Sequence, residues 1–301
     1  MTTAAISPNF FIVGAHKAGT TSLYTYLKQH PQVFMPERIK EPCYFRGDPR
    51  SFEPGPPLPE RKNFYEELFE QAVGFKAIGE ASTDYLYYSK KSALNIKQHD
   101  PQAKIIIILR NPIDRAYSNF IWALKEGLES ERNFRRALDL EQARREIGMG
   151  SVWHYKAKGL YSSQVQDYLD VFNAHQVKIF LFEDLKEDAS NVCRELFRFL
   201  RVDSFLPDTS IAHNVSGVAR IAALQRTMKR PSGLLKLGYL LPAELRRKAR
   251  AAVLKINTQN DRKRWPQLEK VDAVYLLDFY RKDILELQEV IGKDLGPWLK
   301  Q

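Results

Sequence analysis

The residues with the most informative chemistry and spacing lie between positions 10 and 23. An apolar run, Phe10–Val13, leads into Gly14-Ala15-His16-Lys17-Ala18-Gly19 and then into Thr20-Thr21-Ser22-Leu23. Glycines let the backbone bend tightly and approach a ligand, and the first free N–H groups of a helix attract an anion. With the positive charge of Lys17 added, the pattern predicts a phosphate-binding loop between a strand and a helix.

This spacing differs from that of the ATP-binding loop G-x-x-x-x-G-K-[ST]. Lys17 lies two residues before the second glycine, and Thr20 stands where that loop has its lysine. The pattern therefore favours a phosphate group other than that of ATP. A phosphate-loop kinase that uses ATP and magnesium stays open as an alternative, with Glu183 and Asp184 as the acidic residues after an apolar run.

A second pattern places an arginine and a hydroxyl within reach of one anion. The apolar run Lys104–Leu109 is followed by Arg110, Asn111 and Pro112, and Ser118 lies eight residues after Arg110. Pro112 suits the first turn of a helix, so Ser118 lies about two helical turns along it. Arg110 and Ser118 could then bind one oxyanion, although Arg110 alone fits a structural ion pair equally well.

The two motifs together, Gly-x-x-Lys-x-Gly-Thr-Thr-Ser and Leu-Arg-Asn-Pro-x-x-Arg-x-x-Ser, resemble those of sulfotransferases that use 3′-phosphoadenosine 5′-phosphosulfate (PAPS). The resemblance covers nearly the whole chain and is closest to the carbohydrate sulfotransferases of the heparan sulfate type and their bacterial relatives. Lys40–Phe45 resembles the segment with the family's glutamate base, and Gly79–Leu86 resembles its substrate-side turn. The resemblance implies an enzyme that transfers the sulfuryl group to a hydroxyl, releases adenosine 3′,5′-bisphosphate (PAP) and needs no metal.

The resemblance also implies roles for individual residues. Glu41 would take the proton of the acceptor, and Lys17 would stabilise charge on the leaving phosphate. The implied donor contacts are Lys17, Ala18, Gly19, Thr20, Thr21, Ser22, Arg110, Ser118, Arg262 and Lys263, and the implied substrate contacts are His16, Lys40, Tyr44 and Tyr85. A solvated glutamate is the alternative for Glu41, and a loop histidine with a backbone partner is the alternative for His16.

One residue departs from the family pattern. Many of the animal enzymes have a lysine immediately after the glutamate that corresponds to Glu80, whereas this chain has Ala81. A second cationic contact to the sulfuryl group is therefore not assumed at that position.

Strand and helix patterns alternate along the chain, which is typical of a parallel sheet with helices on both faces. We therefore predict an α/β fold, the sulfotransferase fold, as a single domain over residues 1–301. The glycine- and proline-rich stretch Gly47–Pro59 is predicted to be a surface loop. The predicted strands are Phe10–Val13, Gln32–Met35, Lys76–Gly79, Lys104–Leu109 and Val177–Phe182, and the predicted helices are Thr20–Gln29, Ser92–His99, Pro112–Lys125, Phe134–Ile147, Ser162–Asn173, Ala189–Leu200 and Val271–Ile291.

The net charge of +10 is concentrated in one segment. Between residues 220 and 264, thirteen basic residues stand against Glu244 and Asp261. This basic segment includes a predicted amphipathic helix, Pro242–Lys255, which could close as a lid over an acidic substrate or contact an anionic glycan or membrane. A solvated basic helix is the alternative. A basic protein that binds nucleic acid or membranes is a third function class, ranked last because no motif that reads DNA or RNA is present.

Composition supports one enzyme domain without a disulfide framework. The chain has 301 residues, of which 44% are hydrophobic, and its two cysteines are Cys43 and Cys193. The first nine residues have neither a cationic start nor an apolar core, and no apolar window is long enough to span a bilayer. We therefore expect a cytoplasmic, bacterial-type enzyme. Its acceptor is expected to be a carbohydrate or a glycosylated small molecule, with nitrogen left open as the accepting atom.

Overall fold

The computed structural model describes residues 6–46, 58–210, 218–219, 258–259 and 265–300. The chain divides into two compact units. The first unit contains residues 1–115, 158–213 and 279–301, and the second contains residues 116–157 and 214–278. The basic segment 220–264 lies outside the described residues apart from 258–259, and so do the predicted donor residues Arg262 and Lys263.

The first unit is built on a five-stranded sheet in the order β2-β3-β1-β4-β5, and all of its strand pairs are parallel. Every residue of β1 and of β3 is buried, which requires cover on both faces of the sheet. The strands are β1 Phe10–Gly14, β2 Val33–Phe34, β3 Ala77–Ala81, β4 Lys104–Leu109 and β5 Val177–Leu181. This arrangement confirms the predicted parallel sheet flanked by helices.

The helices of the structure are α1 Thr20–Lys28, α2 Leu58–Glu67, α3 Asp84–Tyr87, α4 Ser89–His99, α5 Pro112–Glu126, α6 Phe134–Asp139, α7 Glu141–Glu146, α8 Tyr161–Val171, α9 Phe182–Glu187, α10 Ala189–Leu200 and α11 Lys270–Ile291. Helices α1, α4, α5, α8, α10 and α11 lie close to predicted helices, whereas α2, α3 and α9 were not predicted. Within the described residues, no helix combines the length and the apolar character that crossing a membrane requires.

One helix prediction is corrected. The single helix predicted over residues 134–147 is two helices, α6 and α7, that meet at Leu140. The buried carboxylate of Glu141 begins the second helix and accepts hydrogen bonds from the amides of Lys156 and Ala157. Hydrophobic periodicity does not record a tertiary contact of this kind.

The predicted loop Gly47–Pro59 is also shorter than expected. Its residues 47–57 lie outside the described residues, whereas Leu58 and Pro59 begin helix α2. A proline is well suited to the first turn of a helix because its missing N–H has no partner there in any case. The prediction treated Pro59 as a loop signal, and it is a helix-start signal.

The second unit contains α6, α7 and the short antiparallel pair β6 Val218–Ala219 with β7 Thr258–Gln259. Its most buried charged group is Glu129, which forms two hydrogen bonds with Arg144 at 2.6 and 2.9 Å. The hydroxyl of Tyr155 donates to the same carboxylate at 2.8 Å. A paired and hydrogen-bonded charge of this kind fixes the local packing of the unit.

Close packing in the first unit depends on a glycine in β3. Gly79 lies opposite Phe10 in the register of β1 and β3. A Cβ atom at position 79 would lie 2.1 Å from Phe10 Cζ and 2.5 Å from Met35 Sδ. The Phe10 ring and the Met35 sulfur therefore lie directly on the backbone of β3, the strand that leads to residues 80–84.

We expect Gly79→Ala to lower the free energy of unfolding by about 1–3 kcal/mol, because the added methyl group overpacks a filled core. In a Phe10→Leu background the opposing Cζ is absent, so the same change is expected to cost less. Urea denaturation of the four proteins in this double-mutant cycle measures the coupling. Equal costs in the two backgrounds would contradict the proposed contact.

Candidate active site

The phosphate loop, residues 14–19, connects β1 to α1 and is bent by two left-handed residues. Lys17 has φ 69° and Gly19 has φ 97°. A Cβ atom at Gly19 would lie 2.9 Å from Phe182 Cδ2 and 3.0 Å from Leu185 Cδ2, both on α9. Glycine is therefore needed at position 19 for its backbone conformation and for its lack of a side chain.

The start of α1 provides amide groups for an anion. The amides of Ser22 and Leu23 donate to the carbonyl of Gly19. The amides of Thr20 and Thr21 lie in the first turn, where the N–H groups of any α-helix have no carbonyl acceptor within the helix. These amides and the helix dipole favour a phosphate at this point, as the sequence pattern predicts.

Arg110 reaches the phosphate loop from the neighbouring strand. It follows β4 directly, and its Nη1 donates to the carbonyl oxygen of Lys17 at 3.2 Å. Its guanidinium lies 4.8 Å from the ring centroid of Phe182, the residue that also packs against Gly19. Burial lowers the pKa of Arg110, and its buried Nε has no hydrogen-bond partner among the described residues. Arg110 is only partly buried, with 22% of its side chain exposed, and its Nη2 lies 3.9 Å from Asp114 Oδ2, so the alternative role in an ion pair is also present. The unpartnered Nε of this cation fits an anionic ligand.

Ser118, the predicted partner of Arg110, lies on α5 and is partly exposed. It belongs to the second unit, whereas Arg110 belongs to the first. Their joint role in binding one phosphate remains a prediction.

Glu41 is held in place by contacts to both of its carboxylate oxygens. Oε1 accepts from Lys40 Nζ at 2.9 Å, and Oε2 accepts from the backbone amide and the hydroxyl of Thr83 at 3.1 and 2.7 Å. Lys40 Nζ also donates to Thr21 Oγ1, at 3.2 Å, in the first turn of α1. Lys40 thus connects the predicted base to the helix start that follows the phosphate loop, and about a third of the Glu41 side chain remains exposed.

A second carboxyl group, Glu80, is fully buried at the end of β3. It accepts hydrogen bonds from the hydroxyl groups of Tyr65 and Ser82, and the hydroxyl of Tyr85 also contacts it. Burial raises the pKa of Glu80 to about 7; the three hydroxyl groups oppose that rise, and the charge of Glu41 adds to it. A carboxyl group in this range titrates near neutral pH.

The position of Tyr85 corrects one predicted substrate contact. Tyr85 is fully buried, and its hydroxyl oxygen accepts from the amide of Phe45 at 3.0 Å. Its ring is therefore part of the core instead of the acceptor cleft. Tyr44, the other predicted aromatic contact, remains partly exposed and stacks on Tyr65 with 4.2 Å between ring centroids.

Two cations share one carboxylate beside these residues. Asp84 Oδ2 pairs with Arg46 Nη1 at 2.8 Å, and Asp84 Oδ1 pairs with Lys158 Nζ at 2.6 Å. Burial alone would raise the pKa of Asp84, but Lys158, His16 and Arg46 together hold it well below its usual value. The charge of His16 acts on Asp84, so this predicted substrate contact lies close to the pair of cations. We call Arg46, Asp84 and Lys158 the cation cluster.

Sequence reasoning missed the cation cluster and the buried contacts of Glu80. Asp84 lies inside the quoted segment Gly79–Leu86, but Arg46 and Lys158 are 38 and 74 residues away from it in the chain. Neither cation belongs to a motif with informative spacing. Only the fold brings them together.

The acidic pair that would hold magnesium in a kinase has other partners. Glu183 accepts from the amide of Asn111 at 3.3 Å, and Asp184 pairs with Lys293 at 3.5 Å. Both residues lie in α9, after the end of β5. Their contacts provide a structural role for each carboxylate.

Comparison with known proteins decides the family. Residues 7–215 match the family described as "Sulfotransferase domain". The chain belongs to this family. A crystal structure of a sulfotransferase from Alicyclobacillus acidocaldarius is 32% identical and aligns over 98% of this chain and 99% of that one, with a TM-score of 0.73.

Two mammalian relatives of this sulfotransferase are more distant. The human bifunctional heparan sulfate N-deacetylase/N-sulfotransferase 2 is 24% identical over 98% of this chain and 31% of its own length. The mouse carbohydrate sulfotransferase 15 is 25% identical over 65% of this chain and 44% of its own length. The sulfotransferase thus spans less than half of either relative.

The family uses PAPS as its donor and releases PAP. The fold and family of this chain are therefore those of a PAPS-dependent sulfotransferase. This favours a role of the phosphate loop in binding PAPS over a role in binding ATP, as in a kinase. The left-handed bend at Gly19 and the amides at the start of α1 suit a phosphate group, and the partly buried guanidinium of Arg110 lies beside the loop.

Asp84→Asn is expected to destabilise this sulfotransferase by about 3–5 kcal/mol at pH 7, because two buried cations lose their shared carboxylate. The folded pKa of Asp84 lies below its ordinary value of 3.8. Its contribution is therefore present above about pH 4 and is lost as the pH falls further. Urea denaturation across pH 2.5–7 measures both effects.

The matched control for Asp84→Asn is Glu195→Gln. Glu195 pairs with Lys178 at 2.6 Å, and both side chains are more than a third exposed. An exposed pair of this kind contributes about 0–1 kcal/mol. If Asp84→Asn were as mild as this control at pH 7, the cation cluster would not be an important part of the folded state.

Proposed function

We propose that this chain transfers the sulfuryl group of PAPS to a hydroxyl group of a carbohydrate or a glycosylated small molecule, with Glu41 as the base. The observation that carries the proposal is the connection through Lys40, whose Nζ contacts both Glu41 and Thr21. Through Lys40, the carboxylate of Glu41 is held beside the first turn of α1, which follows the phosphate loop. Transfer between a donor and an acceptor needs these two features side by side.

On the donor side, charge develops on the leaving phosphate as the sulfur–oxygen bond breaks. Lys17 and the amides of residues 18–22 are the groups proposed to meet that charge, since fixed donors need no rearrangement during the reaction. Arg110 with Ser118 would hold the 3′-phosphate, and Arg262 or Lys263 would add a further phosphate contact. No metal is required, because protein cations and amides supply the positive charge.

On the acceptor side, Glu41 has the geometry of a general base. Lys40 occupies one side of its carboxylate and Thr83 occupies the other. A carboxylate has about four lone-pair positions, so one remains for the proton of an acceptor hydroxyl. The proton passes to Glu41 as the oxygen attacks sulfur in line with the leaving phosphate.

Aromatic side chains favour a carbohydrate as the acceptor. Asp84 of the cation cluster directly follows Thr83, and Tyr88 and Tyr87 contact Arg46 and Lys158 at 5.1 and 5.8 Å between the cation and the ring centroid. Both tyrosines are partly exposed, and aromatic faces pack on the apolar faces of sugar rings. The human relative is named as a heparan sulfate N-sulfotransferase and the mouse relative as a carbohydrate sulfotransferase, which supports a carbohydrate acceptor and keeps nitrogen open as the accepting atom.

Calorimetry with PAP, compared with ATP plus magnesium, tests the donor half of the proposal. We expect PAP to bind without metal and more tightly than ATP, because Arg110 contacts a 3′-phosphate that ATP lacks. Arg110→Ala is expected to weaken PAP binding by about 10- to 150-fold, as loss of a charge-assisted hydrogen bond implies.

Arg198→Ala serves as the control, since Arg198 is an exposed arginine on α10. Its PAP affinity should equal that of the unmodified protein. Tighter binding of ATP with magnesium would instead support the kinase. Binding of neither nucleotide, together with salt-dependent binding to polyanions, would support a basic binding protein.

Glu41→Gln tests the acceptor half. We expect turnover to fall by roughly 100- to 10,000-fold, because an amide cannot take the proton, while PAP affinity stays unchanged. Transfer of radioactive sulfate from PAPS to a panel of desulfated polysaccharides and simple sugars measures the turnover.

The control variant is Glu37→Gln, which alters an exposed carboxylate four residues earlier that pairs with Lys28 at 2.7 Å. It should retain full turnover. Full activity in Glu41→Gln would remove Glu41 as the base, and transfer to amino groups alone would change the accepting atom to nitrogen.

A further inference from the structure

Two backbone amides of the Glu41 segment, defined as residues 41–46, depend on hydroxyl groups that contact Glu80. The amide of Cys43 donates to Ser82 Oγ at 2.9 Å, and the amide of Phe45 donates to the hydroxyl oxygen of Tyr85 at 3.0 Å. Ser82 donates its own proton to Glu80 Oε1, and Tyr85 also bonds to Glu80. Each of the two hydroxyl groups therefore connects an amide of the segment to the carboxyl group of Glu80.

A hydroxyl group has one proton and two lone pairs. When Glu80 is ionised it only accepts hydrogen bonds, so Ser82 and Tyr85 direct their protons toward it. Their lone pairs then face the amides of Cys43 and Phe45. The charge of Glu80 therefore sets the direction of these two hydrogen bonds to the segment.

We propose that Glu80 is a positioning residue for the reaction: its ionised carboxyl group orients Ser82 and Tyr85 so that they hold the Glu41 segment in its working position. The proposal rests on the proposed function only for the role of Glu41 as the base. Glu80 touches neither the donor nor the acceptor in this scheme and acts through the segment.

Stability alone does not explain a buried carboxylate here. The pKa of Glu80 in the folded protein, about 7, lies above its ordinary value of 4.5. Ionising Glu80 therefore works against folding as the pH rises from 4.5 to about 7. A glutamine of similar shape would avoid that cost, so the carboxylate is better explained by the orientation that its charge imposes.

The other titratable groups facing Glu80 come from three helices and the segment itself. Tyr65 on α2, Tyr85 on α3 and Tyr168 on α8 interact with Glu80, and each has a pKa raised well above 10 by burial. The remaining group is Glu41, whose charge raises the pKa of Glu80. Since the three tyrosines stay protonated near neutral pH, Glu80 is the group in this buried set that titrates there.

Protonated Glu80 becomes a donor, and one of its three hydroxyl partners must then accept from it. When Ser82 or Tyr85 accepts, its oxygen receives both the Glu80 proton and an amide N–H, and its own proton no longer points to the carboxyl group, so the hydrogen bond to the amide of Cys43 or Phe45 is weakened. Acceptance by Tyr65 leaves the segment unchanged. The segment is therefore expected to loosen as the pH falls through about 7.

Hydrogen–deuterium exchange of the full-length protein tests the proposal without knowledge of the acceptor. We expect the peptide that covers residues 41–46 to exchange about 3- to 10-fold faster in Glu80→Gln than in the unmodified protein at pH 8, the range given by loss of one or two net hydrogen bonds. After correction for intrinsic rates, its protection in the unmodified protein should fall between pH 8 and pH 6. In Glu80→Gln it should not change with pH.

Controls separate this effect from general destabilisation. Peptides from β4 should keep their protection in Glu80→Gln, and its PAP affinity should be unchanged. Tyr65→Phe removes a donor to Glu80 that makes no hydrogen bond to the segment, so it should resemble the unmodified protein at pH 8. Glu70→Gln, an exposed carboxylate change, should have no effect at any pH.

Unchanged exchange of residues 41–46 in Glu80→Gln, or protection that does not vary with pH in the unmodified protein, would overturn the proposal. Glu41→Gln distinguishes its failure from failure of the proposed base. That variant should lose turnover while it keeps the protection of the segment. An active Glu41→Gln protein would remove the base but would leave the exchange results for Glu80 intact.

Discussion

The parallel alignment of β1, β3 and β4 is the constraint on which the site depends. Parallel strands end at the same edge of a sheet, so the residues that follow each strand meet there. The phosphate loop follows β1, Thr83 and Asp84 follow β3, and Arg110 follows β4. The hydrogen bond from Arg110 to the carbonyl of Lys17 is a direct product of this alignment. Motifs that are almost a hundred residues apart in the chain become neighbours for this reason.

Charge balance is the second feature that organises the site. Each carboxylate at this edge has its own partners: Lys40 and Thr83 for Glu41, hydroxyl groups for Glu80, and two cations for Asp84. Arg110 has a looser contact of its own, with Nη2 3.9 Å from Asp114 Oδ2. Pairing of this kind limits the cost of keeping several charged groups partly buried at one edge of the sheet.

The sequence allowed the parallel sheet and the placement of residues 14–19 and Arg110 after its strands to be predicted, because each has a local signature of strand, turn and helix. The Glu41 segment was singled out only by resemblance to the family, since it has no such signature. It did not allow the cation cluster to be predicted, since Arg46 and Lys158 meet Asp84 only through the fold. Tyr85 was assigned to the substrate because a tyrosine in a motif does not reveal which way its ring points. The break at Leu140 was missed because the contact of Glu141 with residues 156 and 157 is tertiary.

Phe182 contacts two elements of the site at once, with one part of its ring close to Gly19 and its face toward the Arg110 guanidinium. Substitutions at positions 19, 110 and 182 are therefore expected to be energetically coupled. A smaller residue at 182 would leave space beside the glycine and remove the surface on which the arginine rests. Lineages descended from this chain are expected to exchange these three residues together or to keep all of them.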